Sequence, residues 1–122
     1  MKFILEKNSG YTINGYDAVQ ITINHKQYDS NVIVSPQAVV TDKLPAVFTD
    51  LTLEHCQYLV SLPIEILIIG TGESTQLLPV EYQLLFSQKQ IGLECMNTAA
   101  ACRTYNVILT EDRLVGGVFF IP

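Results

Sequence analysis

The rhythm of apolar and polar positions changes partway along the chain. Val19, Ile21 and Ile23 alternate with Gln20, Thr22 and Asn24, the period of two expected of a half-buried antiparallel strand. Asn24-His25-Lys26 then reads as a tight connection to a partner strand around residues 27–28. Before it, residues 3–6 predict a short strand ended by the turn formers Asn8-Ser9-Gly10 and, later, Asn14-Gly15. Residues 31–34 are a third apolar run, stopped by Ser35-Pro36, and Val39-Val40 extend that layer. The first third of the chain is therefore predicted to be antiparallel β.

Helical spacing takes over at Thr52, a natural N-cap, with Leu53, Cys56, Leu59 and Val60 on one stripe that ends before Pro63. Residues 64–69, Ile-Glu-Ile-Leu-Ile-Ile, are almost continuously aliphatic, as a strand covered on both faces should be. Gly70-Thr71-Gly72 breaks this run. Pro79 suits the first turn of a second helix, with Leu84, Leu85 and Phe86 as its buried side. Residues 91–95 predict another short strand. A third helix, opened by Asn97 or Thr98 and rich in alanine, runs to Leu109. Glu111-Asp112 marks a turn, and residues 114–121 form a last strand loosened by Gly116-Gly117. Strands joined through helices run parallel with right-handed crossovers. The expected fold is α/β and three-layered: a mixed, mainly parallel central sheet with flanking helices and an added N-terminal antiparallel β layer.

Composition narrows the class. At 122 residues the chain has room for a single domain over 1–122, and 48% hydrophobic residues supply a core. The charged fraction of 16% excludes the highly charged disordered class. The longest aliphatic stretch is too short to span a membrane, and no signal peptide is visible at the start. Seven basic against twelve acidic residues give a net charge of −5, so no basic stripe is available to neutralise nucleic-acid phosphates. Cys56, Cys95 and Cys102 are odd in number and lie in apolar surroundings, as buried thiols in a reducing, cytoplasmic setting would. No metal-ligand spacing occurs, so neither a metal nor another cofactor is expected. His55 and Cys56 are sequence neighbours, which do not face each other on a helix, and so form no nucleophile–base pair.

Chemistry concentrates on one predicted edge. If the strands over residues 64–69 and 91–95 are parallel neighbours, Gly70-Thr71-Gly72 and Met96-Asn97-Thr98 leave the same carboxyl rim, where open α/β sheets place ligands. The second segment starts a helix, whose N–H groups favour an anion. Arg103 lies about 7–8 Å beyond the cap at 1.5 Å rise per residue, with its side chain leaning back toward the rim. Gly70, Thr71, Gly72, Asn97, Thr98 and Arg103 are thus the candidate ligand-binding residues, with no catalytic residue assigned. Arg103 belongs to a polar stripe with Ala99, Asn106 and Thr110, whose plainer explanation is a solvated face or a buried arginine holding loop carbonyls. Gly70-Thr71-Gly72-Glu73-Ser74-Thr75 also approaches the dinucleotide fingerprint, with Glu94 as the ribose-binding acid. Thr75 replaces its third glycine, however, and the next helix begins only near Pro79. Glu65 and Glu94 could approach across strands, but their spacing sets no separation.

Two blocks carry a family resemblance. They are Pro63-Ile64-Glu65-Ile66-Leu67-Ile68-Ile69-Gly70-Thr71-Gly72, and the segment from Ile91-Gly92-Leu93-Glu94-Cys95-Met96-Asn97-Thr98 through Ala99-Ala100-Ala101-Cys102-Arg103-Thr104-Tyr105-Asn106-Val107 with Glu111-Asp112-Arg113. Over essentially its whole length the chain resembles the small single-domain family of unknown function that includes the mitochondrial complex I assembly factor three. The adipogenesis-associated domain protein is a more distant member. The resemblance implies a three-layer fold on a mixed sheet with one antiparallel strand, and no established catalytic activity. Val115-Gly116-Gly117-Val118 departs from the small, alanine-rich residues more usual there. No mitochondrial leader is visible, as expected of a bacterial member or a mature form.

The leading expectation is a non-catalytic cytoplasmic adaptor or assembly-type protein with an unidentified protein partner. The alternative is a small-molecule or anion-binding protein, or an unrecognised enzyme, acting at the carboxyl edge of the sheet. A homodimer whose shared surface completes either function is a third reading.

Overall fold

The computed structural model describes residues 10–122, so the strand expected over residues 3–6, and Asn8-Ser9, lie outside the described residues. Strands β1 (Ile13–Tyr16), β2 (Ile21–Ile23) and β3 (Lys26–Tyr28) form an antiparallel sheet in that order. Asn14-Gly15, expected as a turn, lie inside β1, where the register slips between Ile13 and Gly15. Such a bulge lets a strand accommodate a turn-forming pair. The reversal between β1 and β2 is made instead by the Asp17 carboxylate, which accepts from the N–H groups of Val19 at 2.9 Å and Gln20 at 3.0 Å. Val19 is consequently outside β2 and 69% exposed, and the alternation begins at Ile21. Between β2 and β3, Asn24 and His25 have φ of 47° and 69°. A two-residue type I′ hairpin needs positive φ at both positions.

The second sheet contains β4 (Val32–Val34), β5 (Val39–Val40), β6 (Ile66–Gly70), β7 (Gly92–Met96) and β8 (Val115–Phe119), in the order β5-β4-β8-β6-β7. β6 runs parallel to both β7 and β8, while β4 is antiparallel to β8 and to β5. Of these five strands, β4 alone is therefore reversed. Helices α1 (Leu53–Val60), α2 (Val80–Gln88) and α3 (Thr98–Thr110) complete the expected α/β architecture. The strands predicted over residues 64–69 and 91–95 each begin one or two positions later than expected.

Period-two alternation sorts the sheet's side chains into two cores. Val32, Val34, Ile66, Ile68, Val115 and Phe119 pack under α3 and the small sheet. Ile33, Leu67, Ile69, Val118 and Phe120 pack on the opposite side with α1 and α2 residues. All five β6 residues are buried, which explains its near-continuous aliphatic sequence. Gly117, rather than loosening β8, makes room: a Cβ there would lie 2.6 Å from Phe119 Cζ and 3.2 Å from Tyr105 Cδ1. Those two rings meet edge to face, with centroids 5.7 Å apart.

Each helix start has its own chemistry. Thr52 caps α1 with His55 as its reciprocal partner: the Thr52 N–H donates to His55 Nδ1 at 2.9 Å, and the His55 N–H donates to Thr52 Oγ1 at 3.4 Å. Asn97 Oδ1 accepts from the Ala100 N–H at 2.9 Å and opens α3. Pro79 stands just before α2 rather than within its first turn. On α2 only Phe86 of the expected trio is fully buried, and Leu84 is 51% exposed. Leu84 lies on the helix face opposite the core, because residues two positions apart point in nearly opposite directions.

Candidate functional site

The two predicted chain reversals meet. β6 and β7 end side by side, with Gly70 opposite Met96. The Thr71 N–H donates to the Met96 carbonyl at 2.8 Å, and the Thr98 N–H to the Gly72 carbonyl at 2.9 Å. Thr98 Oγ1 accepts from the Gly72 N–H at 2.9 Å and donates to the Phe120 carbonyl at 2.6 Å. The Phe120 N–H returns to the Gly70 carbonyl at 3.0 Å. Three distant segments are thus joined at one rim through a threonine that is 0% exposed.

The glycines of the rim serve this junction. A Cβ on Gly70 would sit 2.9 Å from Thr98 Cα, so the start of α3 can lie against β6 only over a glycine. Gly72 has φ of 108°, a conformation that a side chain would strain. Beyond it the chain folds back on Thr71, whose hydroxyl donates to the Ser74 carbonyl at 2.6 Å and accepts from the Gln76 N–H at 3.1 Å. No helix begins until Val80. That agrees with the helix start expected near Pro79 and counts against the dinucleotide reading, which requires a helix N-terminus directly after the glycine loop. Glu94 also lies in mid-strand, opposite Ile68, rather than at a strand end. Glu65 does not pair with Glu94. Its carboxylate accepts from the Leu114 N–H at 3.2 Å and lies 3.5 Å from Arg113 Nε.

Five candidate residues, Gly70, Thr71, Gly72, Asn97 and Thr98, are therefore brought together, while Arg103 stands in an adjoining cleft. That cleft, of about 300 Å³, runs between β1 (Ile13–Tyr16) and the Ala99, Cys102, Arg103 and Asn106 side of α3. Asn106 builds one end of it: its Oδ1 accepts from the Ile13 N–H at 3.0 Å and its Nδ2 donates to the Ile13 carbonyl at 2.7 Å. One side-chain amide thus pairs β1 as a neighbouring strand would. The polar stripe of α3 signalled Arg103 and Asn106 in the sequence. The β1 wall gave no such signal, because Asn14-Gly15 reads as a turn.

Burial controls the thiols. Desolvation pushes Cys56 up to about 11 and Cys102 to about 12, the latter slightly opposed by the nearby Arg103 charge. Cys95 is only half-buried and is also raised by desolvation. Tyr16, at the cleft, is raised chiefly by burial. Neutral thiols at physiological pH are poor nucleophiles, so none of the three is primed for covalent chemistry. Among the described residues, no group of three or more acidic, cysteine or histidine side chains has the geometry to hold a metal ion.

A three-layer α/β fold with one reversed strand and a rim sealed by its own hydroxyls defines the class. The chain belongs to the family described as a protein of unknown function (DUF498/DUF598), whose model matches residues 13–120. This agrees with the resemblance read from residues 63–72 and 91–113. The chain is 28% identical over 112 residues to the Xenopus tropicalis protein named NADH dehydrogenase [ubiquinone] 1 alpha subcomplex assembly factor 3, covering 90% of this chain and 61% of that one. It thus spans about three fifths of that curated relative's length. A crystal structure of a Bordetella parapertussis protein superposes with a TM-score of 0.85 at 27% identity, over 93% of this chain and 97% of that one. A Bartonella henselae protein described as an outer membrane protein superposes with a TM-score of 0.71 at 30% identity, over 92% and 95% of the two chains. Among the described residues, no helix is long and apolar enough to cross a membrane.

Proposed function

We propose that this protein is a non-catalytic, cytoplasmic adaptor of the assembly type that acts on a protein partner belonging to a respiratory complex. The observation that carries this reading is the match of 90% of the chain to a relative named as an assembly factor. Two structural features support it. The rim hydroxyls of Thr71 and Thr98, the groups an α/β enzyme would offer to a ligand, are buried and engaged internally. On the opposite layer, Val80 and Leu84 are 68% and 51% exposed and line a groove with Ile91 and Leu93 beside the edge strand β7. Exposed apolar side chains beside a strand edge that is open among the described residues suit coverage by a partner chain.

The test is affinity purification from native extract at physiological salt, followed by mass spectrometry. The expected result is reproducible recovery of respiratory-complex subunits, reduced in a Val80→Asp/Leu84→Asp variant. Recovery of no reproducible protein partner overturns the adaptor reading. A homodimer formed through the same surface would appear in light scattering as a doubled mass that the variant abolishes.

A further inference from the structure

The cleft between β1 and α3 lies outside the adaptor reading and has a chemistry of its own. Arg103 is exposed at its mouth, and among the described residues no carboxylate forms an ion pair with it; Glu65 pairs instead with Arg113. The other polar side chains of the cleft are largely engaged. Both ends of the Asn106 amide hold Ile13, and Asn14 Oδ1 accepts from the His25 N–H at 2.6 Å. The Cys102 thiol is 6% exposed and, with its ionisation pushed to about 12, supplies no negative charge to satisfy the guanidinium. The remaining wall is apolar: Ile13, Ala99 and the Tyr16 ring.

Size and charge then select the ligand. A volume of about 300 Å³ sits at the small end of ligand sites. A single guanidinium offers a two-pronged fork that matches one carboxylate. A dianion would find no second cation among the cleft residues, and Asp17 and Glu73 place negative charge close to Tyr16. The chain as a whole carries −5, which further disfavours multiply charged anions.

We propose that this cleft binds a small monocarboxylate, with its carboxylate on the Arg103 guanidinium and its apolar body against Ile13, Ala99 and the Tyr16 ring. Ligand and partner binding are separable, because the cleft and the α2 groove are built from different residues on opposite faces of the large sheet.

The experiment is an amide ¹H–¹⁵N titration of the full chain with hexanoate and with phenylacetate, and separately with inorganic phosphate at matched ionic strength. Saturable shifts at the amides of residues 13–16 and 99–106 are expected with the two carboxylates and not with phosphate. Arg103→Gln should weaken the carboxylate affinity about tenfold or more, with Arg103→Lys between it and the parent, as loss of a charged two-pronged contact requires. The Arg103→Gln spectrum away from the cleft should be unchanged, since the side chain is exposed. Absence of saturable shifts with both carboxylates overturns the proposal. So does equal binding of phosphate, or carboxylate affinity that Arg103→Gln leaves intact.

Discussion

Thr98 concentrates more of the fold's logic than any other single residue described. Its hydroxyl is fully buried, accepts from the Gly72 N–H and donates to the Phe120 carbonyl, while its backbone starts α3. Valine has nearly the same shape but neither donor nor acceptor. Thr98→Val should therefore leave two buried backbone groups unpaired and cost about 1–3 kcal/mol for each group that water cannot reach. Thr98→Ser should retain most of the stability; the comparison of urea midpoints across the three proteins measures it. A Thr98→Val protein as stable as the parent would show that the junction does not depend on the hydroxyl. The sequence pointed to this residue as a helix opener near a glycine loop, and the contact was legible to that extent. Its internal use was not, because the Phe120 carbonyl lies 22 positions away.

At the level of elements, legibility followed burial. β6 was readable because its side chains are buried on both faces, and α3 because an Asn/Thr cap precedes an alanine-rich run. α2 was harder: it is apolar on its outer side as well as its inner side, so its sequence marks a helix without marking which face is buried. β1 was hidden altogether by the turn-forming Asn14-Gly15 pair, which the bulge absorbs. With β1 went one wall of the candidate cleft, and no local pattern could have restored a contact between residues 93 positions apart. That contact makes a prediction at this scale. In Asn106→Ala, Ile13 loses both bonds to α3, so amide hydrogen exchange should accelerate selectively in β1, β2 and β3. The amides of β6 and β8 should keep their protection. Uniform acceleration across both sheets would mean that the small sheet and the large one open as one unit.

Over the whole molecule, the two buried thiols lie in different cores, Cys56 beneath α1 and Cys102 beneath α3. Both are held protonated in the folded state, to about 11 and about 12 against an ordinary value of 9.0. For these acids the folded chain binds more protons than the unfolded chain once the pH passes the unfolded value. Their contribution to stability is therefore fully present below about pH 9 and is lost as the pH rises through the folded values. Tyr105, also raised by burial, acts in the same direction at still higher pH. Urea midpoints should fall on going from pH 9 towards pH 11, with a shallower fall in a Cys56→Ala/Cys102→Ala variant. An identical slope in parent and variant would assign the alkaline loss to other groups.

The position of β8 has a consequence for biogenesis. It lies between β4 and β6, although it is the last of the five strands to be translated. A nascent chain emerging from the ribosome can make the early hairpins, but β4 has no route to β6 until Phe119 has cleared the exit tunnel. Until then two unzipped strand borders stay open to whatever protein lies nearby. Completion of the large sheet is thereby tied to the emergence of β8.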